Sequence, residues 1–493
     1  MLAFSCSFLL YFIALFAVAV AFRKKNATAS DMLLGDRKLN FWVTALSAQA
    51  SDMSSWLFMG FPMAVFLGGL PEAWIAFGLV VGMFLTWHYI APKLRVETER
   101  YESFTLSSYF AKRFGDKHGV IRVLSALITF FFMAYYLSAA LISIGGLFES
   151  LFSMNYGLGI AIAMSVMLGY TFIGGFVSVA WADLFQALFL LGAIVIAPIM
   201  AYFQTDGWAA IVQHAHTSNV PMNLFALDSS STRDVLFSFF GWGLGYAGMP
   251  HILIKFMGIK NPSELTKSKY LGIAWQIIVL AAAVAVGLVG MAFFHGTLSN
   301  PELVFVEMVK QLFHPFTAGL VLCGVLSATI STMDSQLLVS ASVLTEDVYK
   351  PLINPRASSR QEVFIFRSGA VLTSLIAMWI ASSRDTTIMD AVYYAWAGLG
   401  CSFGPLLLSA LYAKKSTYQG AIAGILTGAL TAAIWPTING MLTAHDLLCS
   451  VPSMIIGFPA SLAAIFITSA FTRKSLCAHV SPSFASGCPP YPG

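Results

Sequence analysis

The sequence predicts an all-α membrane protein that crosses the lipid bilayer about thirteen times. Of its 493 residues, 58% are hydrophobic and only 10% are charged, and the mean hydropathy is +0.78. Soluble domains carry roughly 25% charged residues. A second observation is a series of windows of about 20 apolar residues, the length that crosses about 30 Å of hydrocarbon as a helix. A third is the distribution of the basic residues among the loops.

Thirteen windows have the length and apolar character of membrane spans. They fall near residues 2–22, 41–69, 72–92, 122–148, 157–179, 181–203, 235–257, 270–294, 315–342, 361–382, 388–413, 418–437 and 449–471. Basic residues follow the first window and no cleavage site of small residues is evident, so we expect a retained helix and not a signal peptide. The tail, residues 472–493, ends in a segment rich in Pro, Gly and Ser and is predicted to be disordered.

The basic residues alternate between the two sides of the membrane as thirteen spans require. With the N-terminus outside, all but three of the 27 Lys and Arg residues fall in inner loops or in the tail. The exceptions are Arg233, Lys310 and Arg384. Because cytoplasmic loops are enriched in Lys and Arg, this pattern predicts an N-terminus outside and a C-terminus inside.

Composition also excludes several classes of function. A formal net charge of +4, spread along the chain, does not form a nucleic-acid surface. The six cysteines show no metal-binding spacing, and no set of residues resembles a catalytic centre, so we expect no enzyme activity. A channel or a membrane sensor remains a remote alternative, although a sensor would require an attached signalling domain. Nothing in the sequence specifies an oligomeric state.

The second window contains a polar interruption, ALSAQASDMSSWLFMGFPM, in which Ser51, Asp52, Ser54 and Ser55 fall within five positions. Short polar side chains compete for backbone hydrogen bonds and disfavour continuous helix. An Asp at mid-span costs roughly 2.5 to 3.5 kcal/mol on insertion scales, so Asp52 is expected to face protein or water. It either forms a structural hydrogen bond or cap, or belongs to an ion or substrate site.

The seventh window, FFGWGLGYAGMPH, combines four glycines with Pro250. At about 1 kcal/mol for each Gly and 3 for the Pro, roughly 7 kcal/mol of helix preference is missing relative to Ala. We therefore expect a bent or interrupted helix. The spacing of Gly241 and Gly245 also fits close helix packing through small residues, whereas Trp242 and Tyr246 favour a binding pocket.

The two interrupted spans are five spans apart, which suggests two inverted repeats. The repeats would cover about 39–203 and 235–413 within a core of 39–413, after a first helix and inner loop at 1–38 and before two accessory helices at 414–471. Interrupted helices at matching places in inverted halves mark the midplane site of transporters. We expect that site between residues 50–56 and 242–250.

The ninth window carries a run of hydroxyl side chains, SATISTMDSQLLVSAS. One helical turn separates the carbonyl of Ala328 from the hydroxyls of Ser331 and Thr332, so three uncharged oxygens can converge on a hard monovalent cation. The same hydroxyls can instead bond back to the i−4 carbonyls of their own helix. Asp334 is expected to point away from Thr332, about 200° around the helix.

Several of these segments together resemble one known family. ALSAQASDMSSWLFMGFP, YTFIGGFVSVAWAD, GWGLGYAGMPH, ISTMDSQLL and YYAWAGLG occur in the order in which bacterial sodium/proline symporters carry similar motifs. These transporters belong to the sodium/solute symporter family, and the resemblance runs from about residue 33 to 436. It implies a LeuT-like core of five plus five inverted helices, residence in the plasma (inner) membrane and sodium-driven uptake of L-proline.

Matching positions imply which residues bind each solute. Sodium would be bound by the carbonyls of Ala50, Met53 and Ala328 and by the hydroxyls of Ser331 and Thr332. Asp52 matches an essential acidic position near the ion, and Arg37 matches a basic position associated with the inner gate. The proline site would draw on Ser54, Ser55, Trp56, Tyr136, Trp242, Tyr246 and Pro250.

One residue departs from the pattern of the proline carriers. Ser55 stands where they carry glycine beside the substrate. Its hydroxymethyl group narrows the cavity and adds a hydrogen-bond donor. Another small solute, such as pantothenate, a sugar or a different amino acid, therefore stays open as the alternative cargo of a sodium symporter.

Overall fold

A computed structural model describes residues 2–22, 34–173, 175–225, 229–383, 386–444 and 450–478. Within these ranges the regular secondary structure is helical, with one isolated β-bridge between Leu39 and Ile259. The predicted all-α membrane architecture is therefore confirmed for the described part of the chain.

Up to the loop near residue 220, the described residues form ten α-helices. They are α1 Leu2–Ala21, α2 Phe41–Asp52, α3 Gly60–Gly68, α4 Ala73–Leu85, α5 Ala91–Arg100, α6 Leu106–Arg113, α7 Val120–Phe152, α8 Tyr156–Ile173, α9 Phe176–Gln204 and α10 Gly207–Thr217. A π-helical turn at Thr86–Ile90 joins α4 to α5, so these two form one long span.

The described residues of the second half form nine more long α-helices. They are α11 Ser229–Gly243, α12 Pro250–Met257, α13 Leu265–Phe293, α14 Val304–Leu312, α15 Pro315–Ser342, α16 Ser359–Ser382, α17 Ile388–Tyr412, α18 Tyr418–Ala444 and α19 Ser453–Ala478. Helix α15 continues through a π-helical turn at Val343–Tyr349 to a last turn that ends at Leu352.

The described helices account for all thirteen predicted spans. Ten continuous helical stretches are long and apolar enough to cross a bilayer. The other three spans are the interrupted pairs α2/α3 and α11/α12, and the shorter helix α8. The interruptions predicted in the second and seventh spans are confirmed, because the chain leaves helical geometry at Met53 and again at Met249.

Some predicted boundaries are wrong. The fifth span ends at Ile173 and not near residue 179, and α9 already begins at Phe176. Gly175, with φ of 139°, has a backbone conformation that residues with side chains rarely adopt, so it separates the two helices. The disordered tail predicted from residue 472 is wrong for its first seven residues, since α19 continues to Ala478. Residues 479–493 lie outside the described ranges.

Helix α2 lies at the centre of the bundle. It packs against α9, α12, α13 and α15, and every residue from Val43 to Asp52 is buried. Helix α17 packs against α7 and against the turn between α11 and α12. Both interruptions are thus enclosed by neighbouring helices, where irregular backbone at membrane depth is tolerated.

Candidate functional site

The first interruption begins where α2 ends. Met53 has φ −83° and ψ 84°, and Ser54 follows with φ −87° and ψ −162°, so neither residue continues the helix. A 3₁₀ turn at Ser55–Leu57 comes next, before α3 starts at Gly60. The hydroxyl of Ser54 accepts a hydrogen bond from the Trp56 amide at 3.5 Å. The amides of Met53 and Ser54 bond to the carbonyls of Gln49 and Asp52, so local hydrogen bonds hold the irregular backbone of this break in place.

The second interruption has a different chemistry. A 3₁₀ turn covers Leu244–Gly248, Met249 is extended, and Pro250 opens α12. Its glycines also let neighbours approach closely: a Cβ on Gly243 would lie 2.6 Å from the Gly78 carbonyl oxygen, and one on Gly245 would overlap the Trp396 indole. The predicted interruption and the close packing are therefore both present, because the same glycines interrupt the helix and admit neighbouring groups.

Four of the five oxygens assigned to sodium meet at one place. The Ser331 hydroxyl lies 2.8 Å from the Ala50 carbonyl oxygen and 3.0 Å from that of Ala328. The Thr332 hydroxyl lies 3.2 Å and 3.1 Å from the same two carbonyl oxygens. The fifth, the Met53 carbonyl, belongs to the break three residues after Ala50. Uncharged oxygens are suitable ligands for a hard cation.

Asp52 is buried, with 1% of its surface exposed, and its carboxylate is directed toward the second interruption. Oδ2 accepts a hydrogen bond from the Tyr246 hydroxyl at 2.5 Å, and Gln276 donates to that hydroxyl at 2.9 Å. The backbone carbonyl of Asp52 accepts a hydrogen bond from the Trp56 indole at 3.1 Å. Asp52 therefore links the two breaks through residues assigned to the substrate.

Asp334 lies elsewhere, as its helical position predicts. Its Oδ1 accepts a hydrogen bond from Thr171 at 3.1 Å, on the side of α15 that faces α8. The hydroxyls of Ser331 and Thr332, which the sequence predicts to bind sodium, face α2 instead. The two sides of α15 therefore have different polar partners.

Aromatic rings enclose the space between the two breaks. Trp56 stacks on Trp242 with ring centroids 6.0 Å apart, and Tyr246 meets the edge of Trp396 at 4.9 Å. The Trp396 indole also donates to the Trp242 carbonyl at 3.0 Å. Rings of this kind cover an apolar solute well. Trp396 is not among the residues predicted for the site, although its segment YYAWAGLG is one of those that resemble the family.

The remaining predicted substrate residues lie around the same space. Tyr136 on α7 meets the edge of His251, with ring centroids 5.5 Å apart. The hydroxyls of Tyr136 and Ser55 are both buried and make no hydrogen bond within the described structure. Pro250 lines a small cavity of about 20 Å³ that extends toward the inner ends of α12 and α15. Unsatisfied buried hydroxyls are uncommon, and a bound solute can supply their partner.

Arg37 joins three segments at the end of the bundle that the sequence predicts to face inward. Its guanidinium donates to the Met257 carbonyl at 2.7 Å, to the Ser103 carbonyl at 3.0 Å and to the Thr98 hydroxyl at 3.3 Å. Burial and the nearby charge of Arg95 lower the pKa of Arg37 to about 10, so it stays protonated at neutral pH. The arginine therefore ties the segment before α2 to the end of α12.

A buried ion pair was also missed by the sequence analysis. Lys255 on α12 lies 2.8 Å from Asp183 on α9, and the Ser47 hydroxyl on α2 donates to the same carboxylate oxygen at 2.7 Å. The prediction that Lys255 belongs to an inner loop is wrong, because α12 holds this lysine in a buried position beside α9. Only the packing of three helices reveals that Lys255 is internal and paired.

Comparison with known proteins identifies relatives over nearly the whole chain. Residues 32–428 match the model of the sodium:solute symporter family. The high-affinity proline transporter PutP of Bacillus subtilis (strain 168) is 39% identical, over 91% of this chain and 94% of the relative. The sodium/proline symporter of Haemophilus influenzae (strain ATCC 51907 / DSM 11121 / KW20 / Rd) is 36% identical, over 95% and 94%. These matches confirm the resemblance found in the sequence.

Solved structures show the fold. A Na⁺-coupled sialic acid symporter, described in a substrate-bound outward-open state, aligns with a TM-score of 0.78 at 17% identity, over 95% of this chain and 98% of that one. MhsT in complex with L-phenylalanine aligns with a TM-score of 0.54 at 15% identity, over 87% and 98%. The expected LeuT-like inverted-repeat fold is thereby confirmed.

Proposed function

Because the chain belongs to the sodium:solute symporter family, we propose that it is a secondary transporter of the plasma membrane that takes up L-proline together with sodium. The observation that carries the proposal is the stretch from Ala50, in the last turn of α2, to Trp56, in the 3₁₀ turn that follows the break. Ala50 at its start contributes to the ion cluster, and Trp56 at its end contributes to the aromatic enclosure. One short stretch of backbone therefore belongs to both sites.

This shared segment provides the coupling. A sodium ion held by Ala50, Met53, Ala328, Ser331 and Thr332 would order the backbone up to Met53. The ring of Trp56, three residues further on, would then be held in place for the solute. A ligand shifts a conformational equilibrium only through its different affinity for the two states. Ordering of residues 50–56 supplies that difference.

Alternating access requires the contacts that close the inner side to break when the solute is released. The Arg37 contacts with Met257 and Ser103 close the inner side, while Trp56 and Tyr246 are almost wholly buried. Release inward requires the Arg37 contacts to break. With the N-terminus outside and the C-terminus inside, sodium entry gains about 2.3 kcal/mol per charge for each 100 mV of membrane potential, in addition to its concentration gradient.

A second candidate cargo follows from Ser55. Its buried hydroxyl has no hydrogen-bond partner among the described residues. A more polar solute than proline could satisfy it, so a sodium symporter of such a solute is the second candidate function.

Uptake into proteoliposomes tests the proposal. Purified protein should accumulate radiolabelled L-proline when sodium is high outside, and accumulation should collapse when the sodium gradient is removed. Equal uptake with and without the gradient would contradict sodium coupling. Competition by unlabelled proline, other amino acids, pantothenate and sugars then decides between the two candidate cargoes.

A further inference from the structure

Two histidines from distant parts of the chain meet on the side of the membrane that the sequence predicts to face outward. His214 lies in the last turn of α10, and His295 follows the C-terminal end of α13. The Nε2 atom of His214 lies 3.3 Å from the Nδ1 atom of His295. The ring planes are tilted by 52°, so the rings meet at their nitrogen atoms and do not stack. Neither residue belongs to the sets assigned to sodium or to the solute.

The backbone holds His295 in an uncommon conformation. Its φ of 52° lies in the left-handed region, where glycine is the usual residue after a helix. The His295 amide donates to the Ala292 carbonyl at 3.3 Å, and the Gly296 amide donates to the Met291 carbonyl at 2.8 Å. These are the two hydrogen bonds of a helix end closed by a left-handed residue. A histidine at a position that favours glycine indicates a use for its imidazole.

The distance between the two ring nitrogens fits a shared metal ion. Two imidazole nitrogens on one tetrahedral Zn²⁺, each about 2.0 to 2.1 Å from the ion, are separated by about 3.3 to 3.4 Å. The observed separation is 3.3 Å. The lone pairs of both rings could therefore reach one ion after a small rotation of the side chains. A hydrogen bond between the two rings is the alternative explanation of the contact.

The electrostatic surroundings also favour a cation. Helix α10 ends at Thr217 and helix α13 at Phe293, so two helix C-termini meet beside the pair. Each C-terminus carries a partial negative charge. In the described part of the chain, no third His, Cys, Asp or Glu joins the two histidines as a metal ligand. Water would complete the coordination, and the exposed position of His295 leaves it access.

We propose that His214 and His295 form a binding site for a divalent transition-metal ion on the outer side of the protein. Imidazole suits Zn²⁺, Ni²⁺ and Cu²⁺, whereas Ca²⁺ and Mg²⁺ prefer oxygen ligands. The bound ion links α10, in the connection between the two repeats, to α13 in the second repeat. This inference goes beyond the proposed transport function and does not depend on the identity of the cargo.

Calorimetric titration with Zn²⁺ tests the site on the full-length protein, purified without a polyhistidine tag and freed of metal by a chelator. Wild type should bind one Zn²⁺ per chain, with no competition from Ca²⁺. His214→Ala removes one ligand, and His295→Asn removes the other while keeping a residue that tolerates the left-handed conformation. Loss of an outer-shell partner alone costs about 10- to 100-fold in metal affinity, so each variant should bind about tenfold or more weakly.

A neighbouring histidine provides the matched control. His216 lies on the same helix as His214, about 200° around its axis, and is exposed. His216→Ala should bind Zn²⁺ as wild type does. Zn²⁺ should also raise the thermal unfolding temperature of wild type and of His216→Ala, because an ion that binds the folded state stabilises it. Unfolding without metal shows that each variant is folded, and ligand variants on two separate helices keep the test valid if one of them is not.

Three results would overturn the inference. Absence of saturable Zn²⁺ binding by wild type would leave only a hydrogen bond between the two rings. Unchanged affinity in a folded His214→Ala or His295→Asn variant would place the ion elsewhere. An equal loss in His216→Ala would show that the effect is not specific to the pair. Failure of the proposed function appears in a different measurement, as absence of sodium-driven proline uptake, and leaves the calorimetric result unaffected.

Discussion

The two interrupted helices occupy matching places in the two repeats but are interrupted by different chemistry. At the first break, polar residues interrupt the helix, and Asp52 and Ser55 lie there with oxygens that have no hydrogen-bond partner among the described residues. At the second break, glycines interrupt the helix and admit the neighbouring helix α17, whose Trp396 fills the space above Gly245. The first break is therefore rich in polar side chains, whereas the second is shaped by close packing.

The strongest expected effect comes from removing a proposed sodium ligand that α15 places beside the end of α2. Thr332→Val keeps the side-chain shape and deletes one hydroxyl. Hydrogen bonds to charged groups contribute about 1.5 to 3 kcal/mol, which is about a ten- to 150-fold change in affinity. We expect the sodium concentration for half-maximal uptake to rise by that factor. Asp334→Asn should matter much less, and the reverse order of the two variants would contradict the proposed sodium cluster.

The next effect tests whether the second break is defined by packing. In Gly245→Ala the new methyl group would overlap the Trp396 indole. Overpacking costs typically 1–3 kcal/mol, so thermal unfolding in detergent should shift downward and uptake should fall. In Gly241→Ala the methyl group would lie 3.3 Å from the Tyr393 hydroxyl, a milder contact. Similar losses in both variants would show that backbone freedom, and not close packing, is the main requirement.

A smaller effect concerns the connection between α17 and the second break. Trp396→Phe removes the hydrogen bond to the Trp242 carbonyl while keeping an aromatic ring. Losing one such bond costs about 0.5 to 1.5 kcal/mol, or about two- to thirteenfold in affinity. We expect the Michaelis constant for the solute to rise by that factor, while the sodium concentration for half-maximal uptake changes little. Trp379→Phe, at an exposed position on α16, is the matched control and should leave the Michaelis constant for the solute unchanged.

The smallest effect, and the one whose sign is informative, concerns Ser55. If proline is the cargo, Ser55→Gly should preserve or slightly improve proline uptake, because a buried unsatisfied hydroxyl is removed. If a more polar solute is the cargo, the variant should lose about two- to thirteenfold in affinity for that solute. A competition panel run on wild type and on Ser55→Gly measures whether the affinity for each solute rises or falls. A loss of proline affinity would show that the hydroxyl contributes to proline binding.

Much of the fold follows from local sequence. The thirteen spans, the two breaks and the opposite directions of the sodium cluster and Asp334 all follow from hydropathy, helix propensity and the 100° rotation per residue. The predicted ends of the helices are less accurate, because a boundary such as that at Gly175 depends on the backbone conformation of a single residue. The resemblance supplied the assignment of site residues, since several matching motifs occur in order.

The sequence by itself determined which segments span the membrane and where the helices break, because these are properties of neighbouring residues. Only the tertiary structure decided which residues face each other across the breaks. Tyr246 meets Asp52 from 194 positions away, and Lys255 meets Asp183 from 72 positions away. Neither pairing has a local signal, since a buried charge shows only that it needs a partner. Packing of distant helices selects that partner.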